Sequence, residues 1–249
     1  MTGPEIFVHA DGDTLARAVA ARIVTGVADA LNARGRAHVV LTGGGIGTKV
    51  LAALAAEPAR DAIDWRTVDF WWGDERFLPA GHPERNETGA RAALLDVIDT
   101  APARVHPMRG PDGPDGEDPE ASAARYAAEL KGAAPKGEQL PAFDILMLGI
   151  GPEGHVASLF PDLPAVRDGR PVVAVRDSPK PPPTRISFTF STIAAAREAW
   201  ILASGEEKAG AVAGAAAGTP REKLPAAGAH GRERTLYLLD QAAAARLAG

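Results

Sequence analysis

The chain has 249 residues, 45% of them hydrophobic and 24% charged, which suits one packed core and excludes the low-hydrophobicity, high-charge regime of disorder. A formal net charge of −5 provides no broad positive field for nucleic acid, so an anionic ligand has to be held by a local pocket. Zero cysteines exclude disulfides, thiolate metal ligands and a cysteine nucleophile, and no segment reaches the ~18 consecutive apolar residues of a membrane span.

The opening MTGPEIFVHADGD has no basic stretch followed by an apolar run, so a cytoplasmic chain without a membrane partner is expected. A first strand is expected over residues 6–10. Asp13 is then placed to cap a helix whose apolar residues Leu15, Val19, Ile23, Val27 and Leu31 recur every fourth position, and Gly35 stops it. The apolar run 38–41 reads as a strand ending in Thr42-Gly-Gly-Gly-Ile-Gly47, before a helix over about 48–56. Another buried-type strand, 68–72, breaks at Gly73-Asp74-Glu75-Arg76, and a helix follows over roughly 87–95. The Pro/Gly/Asp-rich stretch near 109–119 reads as a surface loop within a single domain spanning 1–249, and residues 121–131 resume as helix. The strand 143–148 runs straight into Gly149-Ile-Gly151-Pro-Glu153-Gly154-His155. Later strands are expected over 172–175, 185–190, 199–203 and 235–239, with helices over 206–217 and from Gln241. Continuous apolar strands alternating with helices predict an α/β fold of three layers, α/β/α, around a mostly parallel, Rossmann-like sheet. In such sheets ligands bind beyond the carboxyl ends of the strands, where three of these strands meet glycine turns.

Gly43, Gly44 and Gly45 allow backbone N–H groups to approach a ligand just before a helix N-terminus, which is what phosphate binding requires. The loop is not a Walker motif, because Thr48 separates its last glycine from Lys49. Residues 149–154 match G-x-G-x-x-G after a strand, yet Pro161 and Pro164 cut short the helix a dinucleotide site needs, and Glu153 would put a carboxylate beside the pyrophosphate. No cofactor is expected. The six histidines are scattered without ligand spacing and no G-x-S-x-G is present, so neither a metal site nor a serine hydrolase is supported. The chemistry has to use water and a base. His155, on a strand-end loop with Glu153 and Ser158 close by, is the candidate, since imidazole titrates near neutrality. Asp74 and Arg76 set a carboxylate and a rigid fork of donors at another strand end, and Arg185 and Lys208 are further cations whose position alone does not separate ligand contact from solvation.

Taken together, LTGGGIGTKVLAAL, FWWGDERFLP followed by Asn86, FDILMLGIGPEGHVASLFP, RISFTF and ASGEEKAGAV resemble the 6-phosphogluconolactonases of the glucosamine-6-phosphate isomerase-like family, over about residues 6–240. The resemblance implies hydrolysis of 6-phospho-D-glucono-1,5-lactone to 6-phosphogluconate, the second step of the oxidative pentose phosphate pathway. It implies His155 as the base, with Asp74 and Arg76 also catalytic. Gly43, Gly44, Gly45, Asn86, Gly149, Gly151, Glu153, Arg185 and Lys208 would bind the substrate. A monomer or weak homodimer with a small phosphorylated sugar lactone as its partner is expected. The alternatives are a glucosamine-6-phosphate deaminase or isomerase, and a non-catalytic sugar-phosphate binding protein. The deaminase pattern carries Glu five residues after the His, where this chain has Phe160. A sensor would need an attached DNA-binding module, for which a strand opening by Ile6 is expected to leave no room. Two segments depart from the lactonase pattern: the glycine loop, usually similar to SGGSTP, is altered at Thr42, Gly45 and Ile46, and Glu153 replaces an Asp.

Overall fold

Alternate residues of the central strands belong to opposite cores, and that alternation builds the molecule. The computed structural model describes residues 3–247. Strands β1 (Glu5–His9), β2 (Ala37–Leu41), β3 (Val68–Trp72), β5 (Ile145–Gly149), β8 (Glu198–Ala203) and β9 (Arg234–Asp240) form one six-stranded parallel sheet in the order β1-β9-β8-β5-β2-β3. Val39, Leu41, Phe70, Trp72, Ile145 and Met147 pack with helix α1 (Gly12–Arg34) and helix α2 (Gly44–Ala56) on one face. Their neighbours Val40, Trp71, Leu146 and Leu148 pack on the other, against α4 (Pro119–Ala133) and α6 (Ala209–Ala216). Burial on both faces is why these strands read as unbroken apolar runs. No helix among the described residues is long and apolar enough to cross a membrane.

Strands 172–175 and 185–190 do not join that sheet. β4 (Asp74–Arg76), β7 (Arg185–Phe188) and β6 (Val172–Val175) form a separate antiparallel sheet in the order β4-β7-β6. Residues 74–76, expected as a break, are therefore a strand; Arg76 sits opposite Arg185 and Asp74 opposite Ser187. The expected strand end also shortens, because Phe190 opens the short helix α5 (Phe190–Ile193).

Other boundaries shift for local reasons. Asp11, not Asp13, caps α1: its backbone is extended and its side chain accepts the Thr14 N–H at 2.7 Å. Asp13 lies inside the first turn, where a carboxylate favours the helix dipole, and pairs with Lys49 at 2.8 Å. Gly35, at φ 68°, ends the helix as expected. α2 begins at Gly44 with Gly43 as its cap, so the glycines form the first helical turn instead of preceding it. The helix expected over 87–95 is an α turn, α3 (Asn86–Ala90), followed by a π turn, and the one expected from residue 206 begins as a 3₁₀ turn. The last helix, α7 (Gln241–Ala244), starts where expected. In the sheet, β3 and β5 lie on opposite sides of β2, so the strand order reverses between β2 and β5, and the loops leaving those two strands flank the crevice.

Candidate active site

The crevice holds a cavity of about 500 Å³ at the carboxyl ends of the parallel strands. Five cations line it, Lys49, Arg76, Lys180, Arg185 and Lys208, against two carboxylates, Asp74 and Glu207. A chain of net charge −5 has thus concentrated positive charge at one opening. The cavity is also lined by the start of α2, where the first N–H groups have no acceptor within the helix and are available to an anion.

His155 enters from the loop after β5, with its side chain 17% exposed. Its Nδ1 lies 2.9 Å from Glu153 Oε1, while Glu153 Oε2 accepts from Lys180 Nζ at 3.0 Å. A carboxylate at Nδ1 keeps a proton there and leaves the Nε2 lone pair open. Burial pulls the His155 pKa below its usual 6.5 despite the nearby Glu153, so the ring is neutral at neutral pH. Phe160 stacks beside the ring at 4.5 Å and is itself buried. Residues 150–163 form turns and short bridges instead of the helix a dinucleotide fingerprint would open.

The facing wall comes from β4 and α3. Asp74 Oδ2 accepts from the buried Ser158 hydroxyl at 2.7 Å, and Arg185 Nη1 stands 4.0 Å from the same oxygen. Asn86 Nδ2 donates to the Asp74 carbonyl at 2.9 Å, and its Oδ1 accepts from Arg76 Nη1. Arg76 also donates to the Glu84 carbonyl at 3.1 Å. A Cβ on Gly43 would stand 1.9 Å from Asn86 Oδ1, so glycine there lets the helix cap and Asn86 pack together.

The pattern described as glucosamine-6-phosphate isomerases/6-phosphogluconolactonase matches residues 10–238. The chain belongs to that family. It is 57% identical to a 6-phosphogluconolactonase of Streptomyces coelicolor, over 98% of this chain and 95% of the relative. With the Mycobacterium tuberculosis 6-phosphogluconolactonase the identity is 48%, over 97% and 98%. The solved 6-phosphogluconolactonase of Trypanosoma brucei is 31% identical and superposes with a TM-score of 0.82, covering 100% of both chains. A monomeric glucosamine-6-phosphate deaminase superposes at 0.80 with 20% identity, over 97% of this chain and 99% of that one, which establishes the shared fold.

Within this family fold, Asp74, Arg76, Asn86, Gly43, Gly44, Gly45, Gly149, Gly151, His155, Arg185 and Lys208, all expected at the site, do line one cavity. Glu153 does not line it; it stands behind the imidazole and reaches the site through His155 and Lys180. Gly149 and Gly151 contribute space more than donors, because Gly149 N–H donates to Thr42 Oγ1 and Gly151 N–H to the His155 carbonyl. A Cβ on Gly151 would lie 2.0 Å from His155 Nδ1. Arg185 is also largely engaged: Nε and Nη2 donate to the carbonyls of Lys180, Pro181 and Pro182, leaving Nη1 toward Asp74. Lys208 keeps a freer head, its nearest carboxylate being Glu207 at 3.9 Å, and burial lowers its pKa. Sequence reasoning missed Lys49, Lys180, Ser204 and Glu207. The one signal available for Lys180 was a lone cation between Pro179 and Pro181, in a segment too stiff to be an ordinary solvated loop.

Proposed function

We propose that this chain hydrolyses 6-phospho-D-glucono-1,5-lactone to 6-phospho-D-gluconate by general-base activation of water at His155. The observation that carries the reading is the His155 imidazole, neutral and held at Nδ1, facing a cavity lined with cations. Full-length identity to 6-phosphogluconolactonases supports the substrate. The helix start at Gly44, with Lys208 and Lys180, holds the phosphate. Nε2 of His155 takes a proton from water as its oxygen attacks the lactone carbonyl carbon, and Arg76 faces the oxyanion that forms. Collapse of that intermediate breaks the bond to the ring oxygen, which receives the proton back from the imidazolium. A δ-lactone is already activated, so orientation and one base, worth about 10²–10⁴-fold, suffice.

Phe160, occupying the place of the deaminase Glu, is an apolar ring against His155 and offers no proton for ring opening of an amino sugar. Two assays test the reading. Lactone hydrolysis in a pH-stat at low pH, where spontaneous opening is slow, should be fast for the phosphorylated lactone, and glucosamine 6-phosphate should release no ammonia. His155→Asn should cost about 10²–10⁴-fold in kcat with the circular dichroism spectrum intact; near-wild-type turnover rules out the base assignment.

A further inference from the structure

Glu75 lies between two cavity residues, Asp74 and Arg76, yet is 1% exposed and does not line the cavity. Side chains alternate along a strand, so those of Asp74 and Arg76 share one side of β4 while that of Glu75 points to the other. Its carboxylate is fully engaged. Oε1 accepts the backbone N–H of Arg76 at 2.8 Å and of Asn86 at 2.7 Å, and Oε2 accepts that of Glu87 at 2.8 Å, with Arg85 Nη2 at 3.8 Å. α3 has no side-chain cap from its own preceding residue, Arg85. Glu75 supplies that cap from a distant strand, satisfying the first two N–H groups of the helix.

We propose that Glu75 is a positioning residue for lactone hydrolysis, fixing Asn86 and through it Asp74 and Arg76, without touching substrate. The inference rests on the lactonase reading above. The path is continuous: Glu75 holds the Asn86 backbone, the Asn86 side chain bonds both the Asp74 carbonyl and Arg76, and Asn86 packs against Gly43 at the start of α2. Burial pushes the Glu75 pKa up to about 6 against the pull of Arg85 and the three N–H groups, so the carboxylate is ionised at neutral pH.

Glu75→Gln keeps the shape but turns one acceptor oxygen into an NH₂ that in either orientation faces N–H donors, those of Arg76 and Asn86 or those of Glu87 and Arg85. The wild-type enzyme is first assayed on the phosphorylated lactone; no turnover there overturns the functional reading and not the placement of Glu75. Given turnover, the variant is expected to lose about ten-fold or more in kcat with KM within about three-fold and an unchanged near-UV circular dichroism spectrum. In an Asn86→Ala background the same change should cost less than about two-fold, because the two residues act in series. A kcat within about two-fold of wild type, a loss matching the unfolded fraction, or full multiplicative loss in the double variant overturns the proposal. If Glu75→Gln does not fold, Glu75→Asp, which withdraws the carboxylate by one methylene, is judged by the same criteria.

Discussion

An imidazole that is to act as a base has to present one nitrogen to water and keep the other tied down, and at His155 three neighbours bear on this. Gly151 leaves room for the ring, since a Cβ there would stand 2.0 Å from Nδ1, and Phe160 packs against the ring with centroids 4.5 Å apart. Gly151→Ala should therefore lose most of the base's contribution, on the order of 10²-fold or more in kcat. Initial-rate kinetics on the phosphorylated lactone check this, and an unimpaired variant would place the base elsewhere. Glu153 acts through charge and orientation together. It raises the His155 pKa against burial, so Glu153→Gln should let that pKa fall further and carry the acid limb of kcat/KM to lower pH. The rate itself should fall about ten-fold, a fraction of the ~10²–10⁴ a positioned base contributes. A pH–rate profile with an unmoved limb would disconnect the carboxylate from the imidazole.

The site is spread over short elements: of the cavity's cations, Lys208 stands before α6, Lys49 lies in the first turns of α2, and Lys180 comes from the proline-rich loop between β6 and β7. Lys208 closes a 3₁₀ turn before α6, and its relatively free ammonium makes it a stronger candidate for the proposed phosphate contact than Arg185, whose donors mostly serve three carbonyls. Lys208→Met should raise KM for the phosphorylated lactone by about 10–100-fold, the cost of one charge-assisted contact of ~1.5–3 kcal/mol, and leave hydrolysis of the unphosphorylated lactone unchanged. Equal effects on both substrates would remove Lys208 from the phosphate. Element length also marks where the sequence was legible. The long strands and α1 could be read because their residues are buried in a regular period, as Leu15, Val19, Ile23 and Val27 show. Their ends at glycine turns located the cavity, and His155, Asp74 and Arg76, singled out for chemistry suited to those ends, line it. What could not be read depends on partners far away in the chain. β4 exists because residues 74–76 pair with β7 more than a hundred residues later, and the polar composition of Asp74-Glu75-Arg76 carries no trace of that. Lys180 lines the cavity and ties Glu153 to it from twenty-seven residues away, and Glu75 caps a helix eleven residues on, neither of which any local pattern encodes.

At the amino ends of the same strands, opposite the cavity, the molecule holds a second polar cluster that bears on its stability. Asp69 near the start of β3 accepts from Arg36, Arg104 and His106, and although burial favours its neutral form, those bonds hold its carboxyl far below the usual range. His106 lies between Asp69 at 3.0 Å and Glu129 at 2.7 Å and stacks on Trp71 at 3.7 Å. Burial works against its charge, but the two carboxylates outweigh it and raise its pKa above 6.5. His38 near the start of β2 is the reverse: it accepts from Trp71 Nε1 at 3.2 Å, and burial lowers its pKa to about 4. The two histidines thus oppose each other across pH. The charged His106 stabilises the fold fully below pH 6.5, and that contribution is lost as pH rises through its raised folded value. The neutral His38 contributes above pH 6.5 and loses up to about 3 kcal/mol as pH falls toward 4. Urea unfolding followed by tryptophan fluorescence from pH 4 to 9 separates them, because acid loss from the carboxylates is common to every variant. His106→Gln should flatten the alkaline side of the stability curve, and His38→Gln should flatten part of the acid side while keeping an acceptor for Trp71. Curves that run parallel to wild type would mean that neither ring changes its proton binding on folding.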